Sequence, residues 1–250
     1  MIKNYYFGNW KMYQSFSSIK KFLKEYKADK AWQQGFSDRY VGIAASYEQL
    51  SFLQQKLKKS SLLVGSQDCS QFIQGAFTGQ VSVQSLAEMN VSFCIVGHSE
   101  ARLYLGQSDE QIALKFKMLL AANISPILCI GDTLAQKEQG LTLQVLFDQL
   151  EAILGFLQSY HGTTKIFIAY EPIYAIGTGI VPTKNELQDV FSFLQQLCKQ
   201  VSVAKNLLLL YGGSVSDRTI TNLQGIDGIS GFLIGKSSIN FQDLKKIVES

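Results

Sequence analysis

The feature that most constrains this chain is a run of short apolar segments, rich in β-branched and aromatic residues, repeated along its length. They lie at 5–8, 40–44, 62–65, 93–97, 126–130, 166–170, 207–211 and 231–234. Within each segment the apolar residues are continuous. A half-exposed strand would alternate, so the pattern suits parallel strands covered on both faces. Between the segments the period becomes that of a helix. Ile19, Phe22, Leu23 and Tyr26 recur at i, i+3, i+4, i+7, and so do Leu187, Val190, Phe191 and Leu194. Further helices are predicted over 108–122, 141–160 and 241–249. Strand–helix alternation repeated eight times within 250 residues predicts an α/β chain folded as a (β/α)8 barrel. A doubly wound open sheet is the runner-up.

No linker, low-complexity segment or composition shift divides the chain, so residues 1–250 read as one barrel domain. A formal net charge of +3 leaves no footprint for nucleic acid, although a mildly basic balance suits an anionic substrate. Lys20, Lys21, Lys24 and Lys27 fall on the outer side of the first helix and read as a solvated face rather than a docking patch. Cys69, Cys94, Cys129 and Cys198 are scattered without a CxxC, which reads as free thiols in a reducing compartment. No apolar run is long enough to cross a membrane, and the first residues lack a secretory apolar region, so the cytoplasm is expected. Glu, Asp, His and Cys never cluster at ligand spacing, and a Rossmann glycine fingerprint is absent. Neither a metal nor a cofactor is expected.

In such a barrel, chemistry belongs at the C-terminal ends of the strands. There the sequence places Asn9-Trp10-Lys11, Gly97-His98-Ser99-Glu100, Glu171-Pro172, Gly212-Gly213-Ser214 and Gly235-Lys236. Each has a bland reading. Lys11 alone is a surface lysine, His98 a satisfied histidine at a turn, Glu171 a strand end and Gly-Gly-Ser a turn. Together they put a cation, an imidazole, a carboxylate and two small-residue loops on one face. The glycine-rich ends suit phosphate, because backbone N–H groups there can approach an anion closely, aided by a short helix after the last strand.

The segments "GNWKM", "GAFTG", "VGHSE", "LCIGD", "AYEPIYAIGTG" and "YGGSV", in this order over the whole chain, resemble the triosephosphate isomerase family. The resemblance implies interconversion of dihydroxyacetone phosphate and glyceraldehyde 3-phosphate on a TIM barrel, without a cofactor. In the mechanism established for that family, Glu171 is the base, His98 a neutral imidazole that polarises the carbonyl, and Lys11 the charge-balancing cation. Asn9 orients the oxygens, and Glu100 is a partner of Lys11. Backbone N–H groups of Gly177, Ser214, Gly235 and Lys236 hold the phosphate. Pro172, Tyr174, Gly177, Thr178, Gly179 and Pro182 belong to a lid that desolvates the base. The resemblance also implies a homodimer through 65–79, with Met12, Phe77 and Thr78 at the interface and Thr78 near the partner's site. The alternatives are another phosphosugar isomerase on the same barrel, or a catalytically weak barrel with an interaction role.

Several positions depart from the family pattern. Lys236 replaces the second glycine after the last strand. Tyr174 stands for the lid tryptophan and Asp132 for the glutamate that meets it, two changes expected to be coupled. Pro182 removes the far-hinge N–H that would serve the Tyr211 hydroxyl, so Ser214, with the backbone near Gly179, is expected to be the main surviving latch. Gln80, Ala101 and Gln107 replace two acids and a base of an inter-subunit cluster, a joint loss that leaves no lone buried charge and implies a dimer with altered polar contacts.

Overall fold

A computed structural model describes residues 4–178 and 180–250. Residues 1–3 and Gly179, one of the expected lid residues, lie outside the described residues. The strands are β1 (Asn4–Asn9), β2 (Arg39–Ala45), β3 (Leu63–Ser66), β4 (Phe93–Val96), β5 (Ser125–Ile130), β6 (Ile166–Tyr170), β7 (Leu207–Tyr211) and β8 (Ile229–Ile234). They pair in parallel and in chain order, and β8 returns to β1 to close the barrel. Helices surround it, so the open sheet is ruled out.

Successive side chains of a strand point to opposite faces. The inward set includes Tyr5 and Phe7 of β1, Phe93 and Ile95 of β4, Phe167 and Ala169 of β6, and Leu210 of β7; it forms one cluster inside the barrel. The outward set, with Tyr6, Ile43, Val96, Leu128 and Ile168, packs under the helices in a second cluster. Because both sets are apolar, the strand segments read as continuous. The same period of two carries Asn9, Glu171, Gly212 and Gly235 to the mouth at the C-terminal strand ends.

Size matching fixes the interior. The Phe93 ring projects into the space left by glycines on β2 and β3, and a Cβ on Gly65 would stand 2.3 Å from that ring. Phe7 packs on Phe93 at 4.6 Å and on Phe167 at 4.9 Å between ring centroids.

The helices bury the faces their period predicts. Ile19, Phe22, Leu23 and Tyr26 are buried from the helix Phe16–Ala28, and Leu187, Val190, Phe191 and Leu194 from the helix Lys184–Cys198. The helix predicted over 108–122 spans Asp109–Ala121, since Ser108 is its cap; that over 141–160 spans Thr142–Leu157. Strand β4 stops one residue short of the expected 97, because Gly97 turns to φ 68°. A helix Ser99–Leu105 starts at once after it, and the sequence reading had no element there.

Gly65→Ala is expected to cost about 1–3 kcal/mol by overpacking against Phe93, and Phe93→Leu in the same chain to recover part of the loss. Urea denaturation of the three proteins checks this. A Gly65→Ala chain as stable as the parent, or a double variant less stable than either single one, overturns the account of the interior.

Candidate functional site

The strand ends open into a cavity of about 420 Å³. Asn9, Lys11, His98, Glu171, Gly177, Ser214, Gly235 and Lys236 all line it. Glu100 stands at its edge through Lys11, whose Nζ lies 2.8 Å from the Glu100 Oε1. Pro172, Tyr174, Thr178 and Pro182 are not among the lining residues; among the described residues of the expected lid, Gly177, with Ile176, reaches the cavity.

Lys11 sits in left-handed backbone, φ 48°, a conformation that costs free energy in a residue with a Cβ and persists only when neighbours hold it. Two contacts hold it here. Its N–H donates to Asn9 Oδ1 at 3.0 Å, and its carbonyl accepts from Gln67 Nε2 at 2.8 Å. Gln67 also donates to the Ala44 carbonyl at 3.1 Å, so it ties the turn after β1 to β2. The sequence reading missed Gln67, which lies in no motif.

His98 caps the helix Ser99–Leu105 with its ring: the Glu100 N–H donates to Nδ1 at 3.2 Å. A ring nitrogen that accepts from a backbone donator carries no proton, so the proton is assigned to Nε2. The Glu100 carboxylate lies farther from the same nitrogen, at 3.5 Å. Nε2 faces Glu171 Oε1 at 3.2 Å, and the Ser99 N–H donates to Glu171 Oε2 at 3.3 Å. Glu171 is only 3% exposed. Its side chain needs the glycine at 212, where a Cβ would stand 2.8 Å from Glu171 Cγ. Burial lifts the Glu171 carboxyl pKa, while the imidazole and the Ser99 N–H lower it, and the balance is downward. Burial lowers the His98 pKa, the Glu171 carboxylate raises it, and the balance is upward. Helix-terminus capping at Nδ1 is therefore opposed by a carboxylate at Nε2.

The lid segment starts with the short 3₁₀ turn Ile173–Ala175, whose Ile173 N–H donates to the Asp132 carbonyl at 2.9 Å. The Ser214 hydroxyl donates to the Ala175 carbonyl at 2.6 Å and docks the segment on the loop after β7. Tyr211 is buried, and its hydroxyl has no hydrogen-bond partner among the described residues. Asp132 and Tyr174, whose changes are expected to be coupled, each have direct partners of their own. Asp132 is fully buried and its oxygens accept from Thr142 at 2.6 Å and Tyr170 at 2.9 Å. The Tyr174 ring instead carries Lys137 Nζ 4.7 Å from its centroid.

Among the expected interface residues, Thr78 and Phe77 are exposed, and Met12 is 95% exposed. Phe72 and Phe77 stack at 3.7 Å. Gln107 turns inward and donates to Asp68 Oδ2 at 2.6 Å, and Lys115 pairs with the same carboxylate at 2.8 Å. Gln80 is exposed and Ala101 half-buried. Among the described residues, no three His, Cys, Asp or Glu side chains stand where they could hold a metal ion, and no helix is long and apolar enough to cross a membrane.

The family model described as triosephosphate isomerase matches residues 4–250. Curated proteins named triosephosphate isomerase are similar over nearly the whole chain. That of Ralstonia nicotianae is 39% identical over 243 residues, covering 96% of this chain and 95% of its own. That of Chlamydia felis is 37% identical over 251 residues, 98% and 97%. That of Endomicrobium trichonymphae is 34% identical over 244 residues, 97% and 96%.

The His98–Glu171 contact can be tested without substrate. In Glu171→Gln the amide removes the stronger of the two carboxylates that favour the imidazolium, leaving Glu100, and keeps the burial that disfavours it. His98 is therefore expected to titrate at lower pH in the variant than in the parent. Nitrogen-15 NMR resolves this, with His161, the other histidine, as internal reference. A His98 pKa that stays or rises overturns the carboxylate as its raising partner.

Proposed function

The chain belongs to the triosephosphate isomerase family, and we propose that the cavity above its strand ends carries the family's reaction. The protein is an isomerase that interconverts dihydroxyacetone phosphate and D-glyceraldehyde 3-phosphate by proton transfer through an enediol(ate), in glycolysis and gluconeogenesis. Glu171 takes the proton from the carbon beside the carbonyl and returns it to the neighbouring carbon. His98 donates its Nε2 hydrogen to the carbonyl oxygen. Lys11 offsets the charge of the phosphate and the developing enediolate, Asn9 orients the oxygens, and Glu100 positions Lys11. The observation that carries the reading is the His98–Glu171 contact of 3.2 Å inside a cavity that Lys11 and the two glycine-rich loops also line.

The same contact accounts for the base strength. The groups that lower the Glu171 pKa are the imidazole, the Ser99 N–H and, more weakly, the Lys11 ammonium. When a carbonyl oxygen takes the His98 Nε2 hydrogen, one of these is lost to Glu171. Burial, which raises the pKa, then meets less opposition, so the pKa moves up and the carboxylate becomes a better base. Substrate binding thus strengthens the base by exchanging hydrogen bonds. Phosphate is held by backbone N–H groups of Gly177, Ser214, Gly235 and Lys236. Lys236 is not among the residues with positive φ and starts the 3₁₀ turn Lys236–Ser238, so the lysine side chain does not disturb the backbone that serves the anion. Pro172, Tyr174, Gly177, Thr178, Gly179 and Pro182 form a lid that excludes water.

The reading includes a single domain over 1–250, a cytoplasmic location, supported by four free thiols, and a homodimer. An exposed surface of Met12, Phe72, Ile73 and Phe77 supports the dimer, with Ile73 68% exposed. Sedimentation at micromolar concentration is expected to give a dimer; a fully active monomer overturns that part of the reading. For the chemistry, Glu171→Gln is expected to keep the fold and phosphoglycolate binding while lowering turnover by at least ~10³-fold. A coupled assay with glyceraldehyde 3-phosphate decides, and more than a tenth of parental turnover in the variant sinks the assignment.

A further inference from the structure

We propose that Lys137 is a positioning residue: with Glu186 it forms an ionic strap that joins the two ends of the lid and holds the lid docked over the cavity. The inference rests on the lid reading above. Lys137 belongs to the helix Leu134–Glu138, outside the lid. Its ammonium lies 4.7 Å from the centroid of the Tyr174 ring, at the near end of the lid. It lies 2.8 Å from Glu186 Oε1, in the first turn of the helix that follows the far end. The other Glu186 oxygen, Oε2, accepts from the Thr183 N–H at 2.7 Å and from its hydroxyl at 2.9 Å. Thr183 directly follows Pro182. One connected set of contacts therefore runs from Tyr174 through Lys137 and Glu186 to the far hinge.

The strap exists in the same structure in which the lid is docked. Ser214 donates to the Ala175 carbonyl, and Ile176 and Gly177 line the cavity. The two restraints reach the segment from different elements, the loop after β7 and the helix Leu134–Glu138. Their need follows from Tyr211, whose buried hydroxyl has no partner among the described residues, and from Pro182, which offers it no N–H. Lys137 is one charge serving two partners, so removing it frees both lid ends at once, whereas removing Glu186 frees only the far one directly. The strap is partly exposed, at 30% for the Lys137 side chain and 42% for Glu186, and salt weakens such a contact.

The test uses the full chain with Lys137→Met, Glu186→Gln, the double variant and Lys137→Arg. Phosphoglycolate affinity, kcat and KM for glyceraldehyde 3-phosphate, and the thermal midpoint are measured at low and high salt. Lys137→Met is expected to weaken phosphoglycolate about three- to tenfold at low salt and less at high salt. Glu186→Gln is expected to weaken it by no more than that, the double variant to be no worse than Lys137→Met, and Lys137→Arg to regain the parental affinity. The thermal midpoint is expected to move little, which separates positioning from a merely structural role. Unchanged or tighter binding in Lys137→Met, or losses that multiply in the double variant, overturn the strap. A parent chain that binds phosphoglycolate but does not turn over triose phosphate counts against the functional reading alone; one that fails to bind it overturns both.

Discussion

The register between the last strand and the first, Tyr5 opposite Gly231 through Gly8 opposite Ile234, is the constraint on which the rest of the molecule depends. Without it the eight strands would form an open sheet, and the turn after β1 would have no fixed relation to the turn after β8. The closure continues past the strands. Trp10 Nε1 donates to the Ser238 carbonyl at 2.9 Å, and the Ser238 hydroxyl donates to the Gly235 carbonyl at 2.7 Å. The backbone around Lys11 is thereby tied to the backbone around Gly235 and Lys236. A cation and an anion-binding turn, more than two hundred residues apart in the chain, are held as one rigid rim. A proton-transfer site needs that rigidity, because a reacting group displaced by a fraction of an ångström loses much of its advantage.

On that rim the charges are arranged so that reaction exchanges contacts. Lys11 is paired with Glu100, and Glu171 is satisfied by His98 and Ser99. A buried carboxylate left without donors would take up a proton and stop being a base. Donors bound too permanently would keep it weak. The imidazole resolves the conflict because it is both the donor that keeps Glu171 ionised and the donor a carbonyl oxygen can claim. Its orientation is set from behind by the Glu100 N–H, an accepting contact at Nδ1 that leaves the hydrogen on the side facing the cavity.

How much of this was legible in the sequence depended on how local the cause was. The strands were readable because burial on both faces makes each segment apolar throughout, and the two long amphipathic helices because one face follows a 3.6 period. Asn9, Lys11, His98 and Glu171 were readable because they end strands in a barrel and stand in family motifs. The helix Ser99–Leu105 was not, since its cap is a histidine ring rather than a hydroxyl or carboxylate side chain. Gln67 was not, because its role comes from a tertiary approach to the Lys11 carbonyl. The hydrogen bonds that Thr142 and Tyr170 give to Asp132 were not, because they are invisible until the strands are assembled.

The far hinge shows how one residue propagates. Proline at 182 stiffens its own φ and withdraws an N–H, and the Tyr211 hydroxyl is left buried without a partner among the described residues. Such a hydroxyl costs about 1–3 kcal/mol relative to a satisfied one. The ring is fully buried, and its hydroxyl occupies the space left by the missing side chain of Gly213, where a Cβ would stand 2.2 Å from it. The tyrosine therefore fills space in the wall behind the base, and its hydroxyl makes no hydrogen bond to the described residues of the lid. Any restraint on the lid must come from groups that reach it by other routes. Ser214 supplies one from the loop after β7, through a carbonyl that no substitution at 182 can remove. The stiffened hinge makes that bond more effective, since fewer backbone states compete with the docked one.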